Sequence, residues 1–233
     1  MKLTFLYLLF ALLISSCSAI KETSNHKMEA GIYKVHNNKH KMYYAEVAED
    51  TIVLHPVIKT KQGWQANKDS SISIQTKGAN TNGAQMKFSS RSFDLDVLTI
   101  LFKYRPSVSG FHRQLNTNFN AAAYLGHRSD YYFLSYDKNP LNVSTSRISH
   151  FAYSLGFFGG LGATSMNPFV TNNQVQSEYD GVVITKGITG LIGVGNLTFG
   201  LAIGIDHLVD DNKKVWIYQG KPWFGFTLGL NLN

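Results

Sequence analysis

Cysteine is almost absent from this chain: Cys17 is the only one. A lone thiol excludes an internal disulfide framework, a thiolate metal site and a paired-cysteine redox motif. Charge is scarce as well. Asp, Glu, Lys and Arg make up 16% of the residues, against the roughly 25% usual for soluble domains. The formal net charge is +7, but the basic residues are scattered rather than clustered, so no nucleic-acid footprint is present. A mild basic excess suits contact with anionic lipid headgroups. Long apolar runs are missing too. No segment after residue 14 supplies the about 18 consecutive apolar residues of a transmembrane helix. If such a chain crosses a membrane, it does so as a closed barrel, because lipid cannot satisfy the open edges of a sheet.

Aromatic residues, by contrast, reach 13% and there are 20 glycines. The amino terminus carries the most specific local signal. Met1 and Lys2 form a short charged region. Residues 3–14 are apolar apart from Thr4, too short to span a bilayer, and small residues follow, which is the layout of a signal peptide. Ile14-Ser15-Ser16-Cys17 resembles a bacterial lipobox, in which the cysteine becomes the lipidated first residue of the mature protein. Loss of Lys2 with residues 1–16 would take the net charge from +7 to +6. The competing reading is cleavage by the ordinary signal peptidase, for instance after Ala19, which would discard Cys17.

The remainder divides by composition. Residues 17–27 are polar and read as a lipidated tether. Residues 28–70 form a small strand-rich section, with strands expected at 31–35, 41–47 and 51–58. Residues 63–67 and 76–85 read as loops, with a short strand at 71–75 between them. A β-barrel is expected over residues 71–233.

From Phe93 the segments lengthen to about 10–14 residues and alternate, as transmembrane strands do. Around residues 115–125, Leu115, Thr117, Phe119 and Leu125 fall on one face, and Asn116, Asn118 and Asn120 on the other. From Phe151, one face carries Phe151, Tyr153, Leu155, Phe157 and Leu161, while its opposite carries Ala152, Ser154 and four glycine or phenylalanine positions. Phe199, Leu201 and Ile203 oppose Thr198, Gly200, Ala202, Gly204 and Asp206. Phe224, Phe226 and Leu228 oppose Gly225, Thr227 and Gly229. Small or polar side chains on one face fit the limited bore of a narrow barrel. Trp216, Tyr218 and Trp223, near strand ends, suit either an interfacial aromatic girdle or core packing. The expected turns lie at 126–130 and 193–196, and the expected long connections at 136–147, 166–180 and 208–222. Seven strands follow Phe93, and an even count predicts eight with one from upstream. The expected class is thus all-β: a small antiparallel, eight-stranded outer-membrane β-barrel after a short strand-rich section. A soluble, tethered, ligand-binding barrel of lipocalin type would alternate too, with its apolar face inward.

The segments Phe93-Asp94-Leu95-Asp96, Phe102-Lys103-Tyr104-Arg105-Pro106 and Gln114-Leu115-Asn116-Thr117-Asn118-Phe119-Asn120 carry a family resemblance. So does the tail from Trp216-Ile217-Tyr218-Gln219 through Lys221-Pro222-Trp223 to Gly229-Leu230-Asn231-Leu232-Asn233. Together they resemble outer-membrane β-barrel envelope proteins of Gram-negative bacteria with a lipoprotein-type signal peptide. The resemblance covers most of the chain after Phe93 and implies a barrel, outer-membrane lipids as its surroundings, and no particular activity. Many such barrels end in an aromatic residue; this chain ends in Asn233.

One constellation offers chemistry. His127 and Ser129 are two apart, so an extended strand puts them on one face, and Asp137 follows with matching parity beyond Ser135. A hydroxyl, an imidazole to take its proton and a carboxylate to orient the ring are the parts of an acyl hydrolase. The arrangement is similar to that of outer-membrane barrels that deacylate lipid A. The plainer reading is a polar hairpin turn without catalysis. Asp206, His207, Asp210, Asp211 and Asn212 lack the spacing and the glycine of a calcium loop and read as a solvated loop. His36 and His40 flank a polar turn. No phosphate-cradling loop, zinc spacing or nucleophile elbow occurs, so no cofactor, metal or nucleic-acid partner is implied. The expectation is a non-catalytic, lipid-anchored outer-membrane envelope protein of structural or interaction type. A lipid acyl hydrolase and a soluble ligand-binding barrel are the alternatives.

Overall fold

The computed structural model describes residues 28–36, 41–48, 51–61, 63–75, 85–108, 110–138, 140, 144–194 and 197–230. The expected signal peptide, Cys17 and tether, the 195–196 turn, His40 and Asn233 lie outside them. Among the described residues every long element is a strand. The twelve are β1 (Gly31–Val35), β2 (Met42–Val47), β3 (Thr51–Thr60), β4 (Gly63–Ala66), β5 (Ile72–Gln75), β6 (Met86–Arg105), β7 (Gln114–Asn116), β8 (Asn120–Lys138), β9 (Ser144–Met166), β10 (Tyr179–Val194), β11 (Leu197–Leu208) and β12 (Pro222–Leu230). They form one sheet, in which β1–β2, β9–β10, β10–β11, β11–β12 and β12–β6 pair antiparallel. The chain divides into two compact units, Met1–Ser90 with Asp130–Phe151, and Arg91–Ser129 with Ala152–Asn233.

The first unit buries the residues that period-2 alternation selects. Tyr33 and Val35 of β1, Tyr43 and Ala45 of β2, and Ile52 and Leu54 of β3 point to one side. With Met28, Phe88 and Leu134 they make one apolar cluster. The expected strands at 31–35, 41–47 and 51–58 are present. Residues 63–66, expected as a loop, instead form β4, which pairs with β3 through Val57↔Ala66 to Thr60↔Gly63. All four residues of β4 are exposed. Its order therefore comes from backbone pairing rather than from apolar burial, and backbone pairing leaves no pattern in the sequence.

In the second unit six strands close into a ring, in the order β6, β8, β9, β10, β11, β12, with β12 returning to pair with β6. Sequence had led to an expectation of eight. Two findings account for the difference: β5, the strand expected to join from upstream, pairs with β3 instead, and the expected turn at 126–130 is continuous within β8. Gly126 there is extended, and the close approach of the neighbouring strand requires it. A Cβ at this position would fall 2.0 Å from the Tyr124 hydroxyl and 2.9 Å from the Leu155 carbonyl oxygen. The expected connections at 166–180 and 208–222 are present. A 3-10 turn, Phe169–Thr171, occupies the first and another, Asp211–Lys214, the second. Asp210 caps the latter by accepting from the Asn212 N–H at 2.9 Å.

The ring is inverted relative to a soluble protein. Leu201 is 74% exposed, Phe157 71% and Leu155 67%. Phe93, Leu95, Val97, Leu125, Ile184, Ile188, Ile203 and Phe224 are also exposed. Asp94, Asp96, Lys103, Arg105, Asn120, Arg128, Thr185, Thr189, Thr198, Asp206 and Thr227 are buried. This is the opposite of the usual distribution, in which Lys, Arg and Asp are almost never fully buried unless paired.

Candidate functional site

The interior of the ring gathers buried Asp, Lys and Arg side chains, and its order follows β6. Asp94 and Asp96 come first, then Leu98 and Ile100, then Lys103 and Arg105. Strict alternation from Phe93 would put Lys103 and Arg105 on the outer, apolar face with Leu95 and Val97. A bulge prevents this. Phe226 of β12 faces Phe102 while Thr227 faces Ile100, so Leu101 is the extra residue. Leu101 and Phe102 are consecutively exposed, and beyond them the parity of the strand is reversed. Two exposed apolar residues in succession, Leu101 and Phe102, followed by Lys-x-Arg, are the mark of that break in the sequence.

Past the bulge, Lys103 donates from Nζ to Asp206 Oδ1 and Oδ2 at 2.9 and 3.0 Å and to Asn120 Oδ1 at 2.7 Å. Arg105 donates from Nη2 to Asp206 Oδ2. Trp223 donates its indole N–H to Asp206 Oδ1 at 2.9 Å, and Lys103 Nζ stands 4.7 Å from the Trp223 ring centroid. The Arg105 guanidinium carbon is 5.1 Å from the ring centroids of both Trp216 and Tyr218. These two rings pack with Met166, Val170, Val183 and Leu208. The backbone N–H of Ile217 donates to the Val170 carbonyl at 3.0 Å, tying the two long connections together. Burial pushes the Tyr218 hydroxyl above its ordinary pKa although Arg105 pulls it the other way, so it keeps its proton. Trp216, Tyr218 and Trp223 are all buried and belong to packing around the cations rather than to an exposed girdle. Asp206, read from sequence as the start of a solvated loop, is fully buried.

Further back along the strands, Asp94 faces Arg128 at 4.0 Å. Asp94, Arg128, Ser154, Leu191 and Thr198 border a small cleft with room for roughly one water molecule. Leu98, Tyr124 and Leu191 form one apolar cluster, and Ile100, Ala122, Phe158, Ala202 and Trp223 another. The interior is thus layered. Two acids with one arginine lie on one side, two cations with one acid on the other, and apolar side chains lie between.

The residues singled out for hydrolysis are placed differently. His127 is exposed and Ser129 is buried, although both lie on β8. Asp137, ten positions along the same strand from His127, is exposed and pairs with Arg147 at 3.8 Å. At about 3.3 Å of rise per residue, no orienting contact from Asp137 to the His127 ring follows from their shared strand. Ser135 Oγ donates to the Arg147 carbonyl at 3.4 Å. Two other imidazoles of the first unit lie within hydrogen-bond distance of a side-chain partner. His36 Nε2 is 2.9 Å from Ser89 Oγ. His150 Nε2 is 2.8 Å from Asp130 Oδ1, with its ring stacked on Tyr132 at a centroid distance of 4.6 Å. No group of three His, Cys, Asp or Glu placed to hold a metal occurs among the described residues. Comparison with family models, with curated proteins and with solved structures gives no match to this chain.

Proposed function

We propose that this chain is a non-catalytic outer-membrane protein, exported by its signal peptide, lipidated at Cys17, and inserted through the six-stranded ring acting as a transmembrane barrel. The observation that carries this reading is the inverted ring. In water, a surface of exposed Leu, Ile, Phe and Val over buried Lys, Arg and Asp would forfeit the hydrophobic stabilisation that folds a soluble domain, at roughly 25 cal/mol per Å² of apolar area. In lipid the same surface is in its proper solvent, and the closed ladder leaves no strand edge to satisfy. A soluble lipocalin-type barrel needs the reverse orientation, with the apolar face inward.

Six strands are fewer than the eight of the smallest common bacterial barrels. The narrow bore explains the inward glycines and alanines, and apolar side chains lie between its two charged layers. The barrel is therefore a closed element that holds the chain in the membrane and supports interaction, rather than a pore. His127 is exposed while Ser129 is buried, and Asp137 is engaged by Arg147, so the lipid hydrolase is not favoured.

Membrane fractionation of the full chain tests the reading. The protein should stay with the outer-membrane fraction through sodium carbonate washing, both in its native form and as Cys17→Ala, and should be released by detergent. Release of Cys17→Ala by carbonate would mean that the lipid alone held it, and the transmembrane assignment would fall.

A further inference from the structure

Asp206 is a saturated acceptor. Its two oxygens receive Lys103, Arg105 and Trp223, and the Lys103 ammonium is further engaged by Asn120 and, at 3.4 Å, by Thr185. Arg105 is not satisfied in this way. Its Nε and Nη1 atoms are buried and have no hydrogen-bond partner. The two rings beside it are in the same position: the Trp216 indole N–H and the Tyr218 hydroxyl are buried without a partner. Arg105, Trp216 and Tyr218 are 1%, 3% and 1% exposed. Four polar groups around one guanidinium therefore lack an acceptor, and three of them can only donate. The local charge is also unbalanced, since Lys103 and Arg105 face a single carboxylate and an apolar layer separates them from Asp94 and Asp96.

We propose that this cluster is a binding site for a chloride-sized anion held between Arg105, Trp216 and Tyr218. Buried donors in native proteins find partners, and a buried cation needs a counter-charge as well as a hydrogen bond. A water molecule supplies only the second of these needs; an anion supplies both. The anion is small, because the connection that carries Trp216 and Tyr218 covers the site and leaves the donor atoms no surface. A phosphate attached to a lipid cannot enter. A monatomic anion accepts from several directions at once, which suits donors contributed by a guanidinium edge, an indole and a phenol. The site lies wholly within the second unit and does not depend on where the ring resides in the cell.

The test uses the full-length protein in detergent, with thermal unfolding followed in sodium chloride and in sodium gluconate at equal ionic strength. Chloride should raise the midpoint with a saturating concentration dependence, as ligand binding to the native state requires, and gluconate, which is too large, should not. Trp216→Phe and Tyr218→Phe keep the rings and remove one donor each. Each should raise the half-saturating chloride concentration by about tenfold, or ~1.4 kcal/mol. Equal midpoints of the unaltered protein in the two salts would overturn the proposal and leave water as the occupant. A chloride effect unchanged in both variants would place the binding elsewhere and overturn it equally.

Discussion

Asp206 is the carboxylate that Lys103 and Arg105 share. It is fully buried and accepts from Lys103, Arg105 and Trp223. Replacing it with Asn keeps the shape and removes the charge, leaving Lys103 and Arg105 without the carboxylate they share. Breaking a buried ion pair from one side costs about 3–5 kcal/mol, so Asp206→Asn should lower unfolding stability by that order in a denaturant titration. A loss within 0.5 kcal/mol would mean that the cations are paired elsewhere. In the first unit, Tyr33 gives a pH-dependent expectation. Burial, reinforced by Tyr132, Glu29 and Asp130, raises its pKa well above the ordinary value of 10.0, and its hydroxyl donates to the Glu29 carbonyl at 2.9 Å. The folded state therefore prefers the neutral phenol. That preference is fully present below pH 10 and is lost as the pH rises beyond it, where the unfolded chain ionises first. Stability should fall above pH 10, with a shallower slope in Tyr33→Phe; identical slopes would remove Tyr33 as the cause. None of these partnerships was legible in the sequence. Asp206 stands on an alternating face next to a loop of acids, and nothing in its neighbours announces a lysine 103 positions away in the chain.

Single strands show where alternation suffices as a guide and where it fails. On β9 it succeeds: Tyr153, Leu155, Phe157 and Leu161 are exposed, while Ala152, Ser154 and Phe158 are buried. Two adjacent glycines on this strand differ sharply. Gly159 has open space where a Cβ would go, whereas a Cβ on Gly160 would lie 2.0 Å from the backbone oxygen of Ala121. Gly159→Ala should leave assembly unchanged, and Gly160→Ala should force β8 and β9 apart and reduce the folded yield. Equal yields of the two variants would count against so close an approach of the strands. On β6 alternation fails, because the bulge at Leu101 reverses the parity. Deleting Leu101 would restore a plain alternation with Lys103 and Arg105 still inward, because Leu101 is the one residue that breaks it. Turns were the other weak point. Gly126-His127-Arg128-Ser129-Asp130 has turn composition, yet neighbouring strands on both sides hold it extended, and that tertiary pairing overrides the local preference.

For the molecule as a whole, the all-β class, the antiparallel arrangement and the outward apolar faces were readable, because each strand repeats one two-residue rule. The ring size was not, since it depends on which strands merge and on where the sheet closes. Leu201, at 74% exposure the most open of the outer leucines, tests the solvent of that face. Leu201→Arg should cost roughly 2–4 kcal/mol at a bilayer midplane and deplete the protein from the outer-membrane fraction. Normal recovery of Leu201→Arg would favour a soluble ring. Lipid attachment is checked separately by fatty-acid labelling, which should disappear in Cys17→Ser; label persisting there would exclude Cys17 as the site.

The closure of β12 on β6 joins Leu230 to Val97 and Phe224 to Tyr104, positions more than a hundred residues apart. Until β12 has been synthesised and delivered, β6 and β11 each present an open row of backbone donors and acceptors, ready to pair with any other strand. Assembly of the ring is thus a late event in the life of the chain. Loop-closure entropy makes such long-range pairing slow, and the waiting intermediate is exposed to aggregation in water and inadmissible in lipid. A chain truncated before Pro222 would keep both edges open for good and should aggregate rather than accumulate as folded protein.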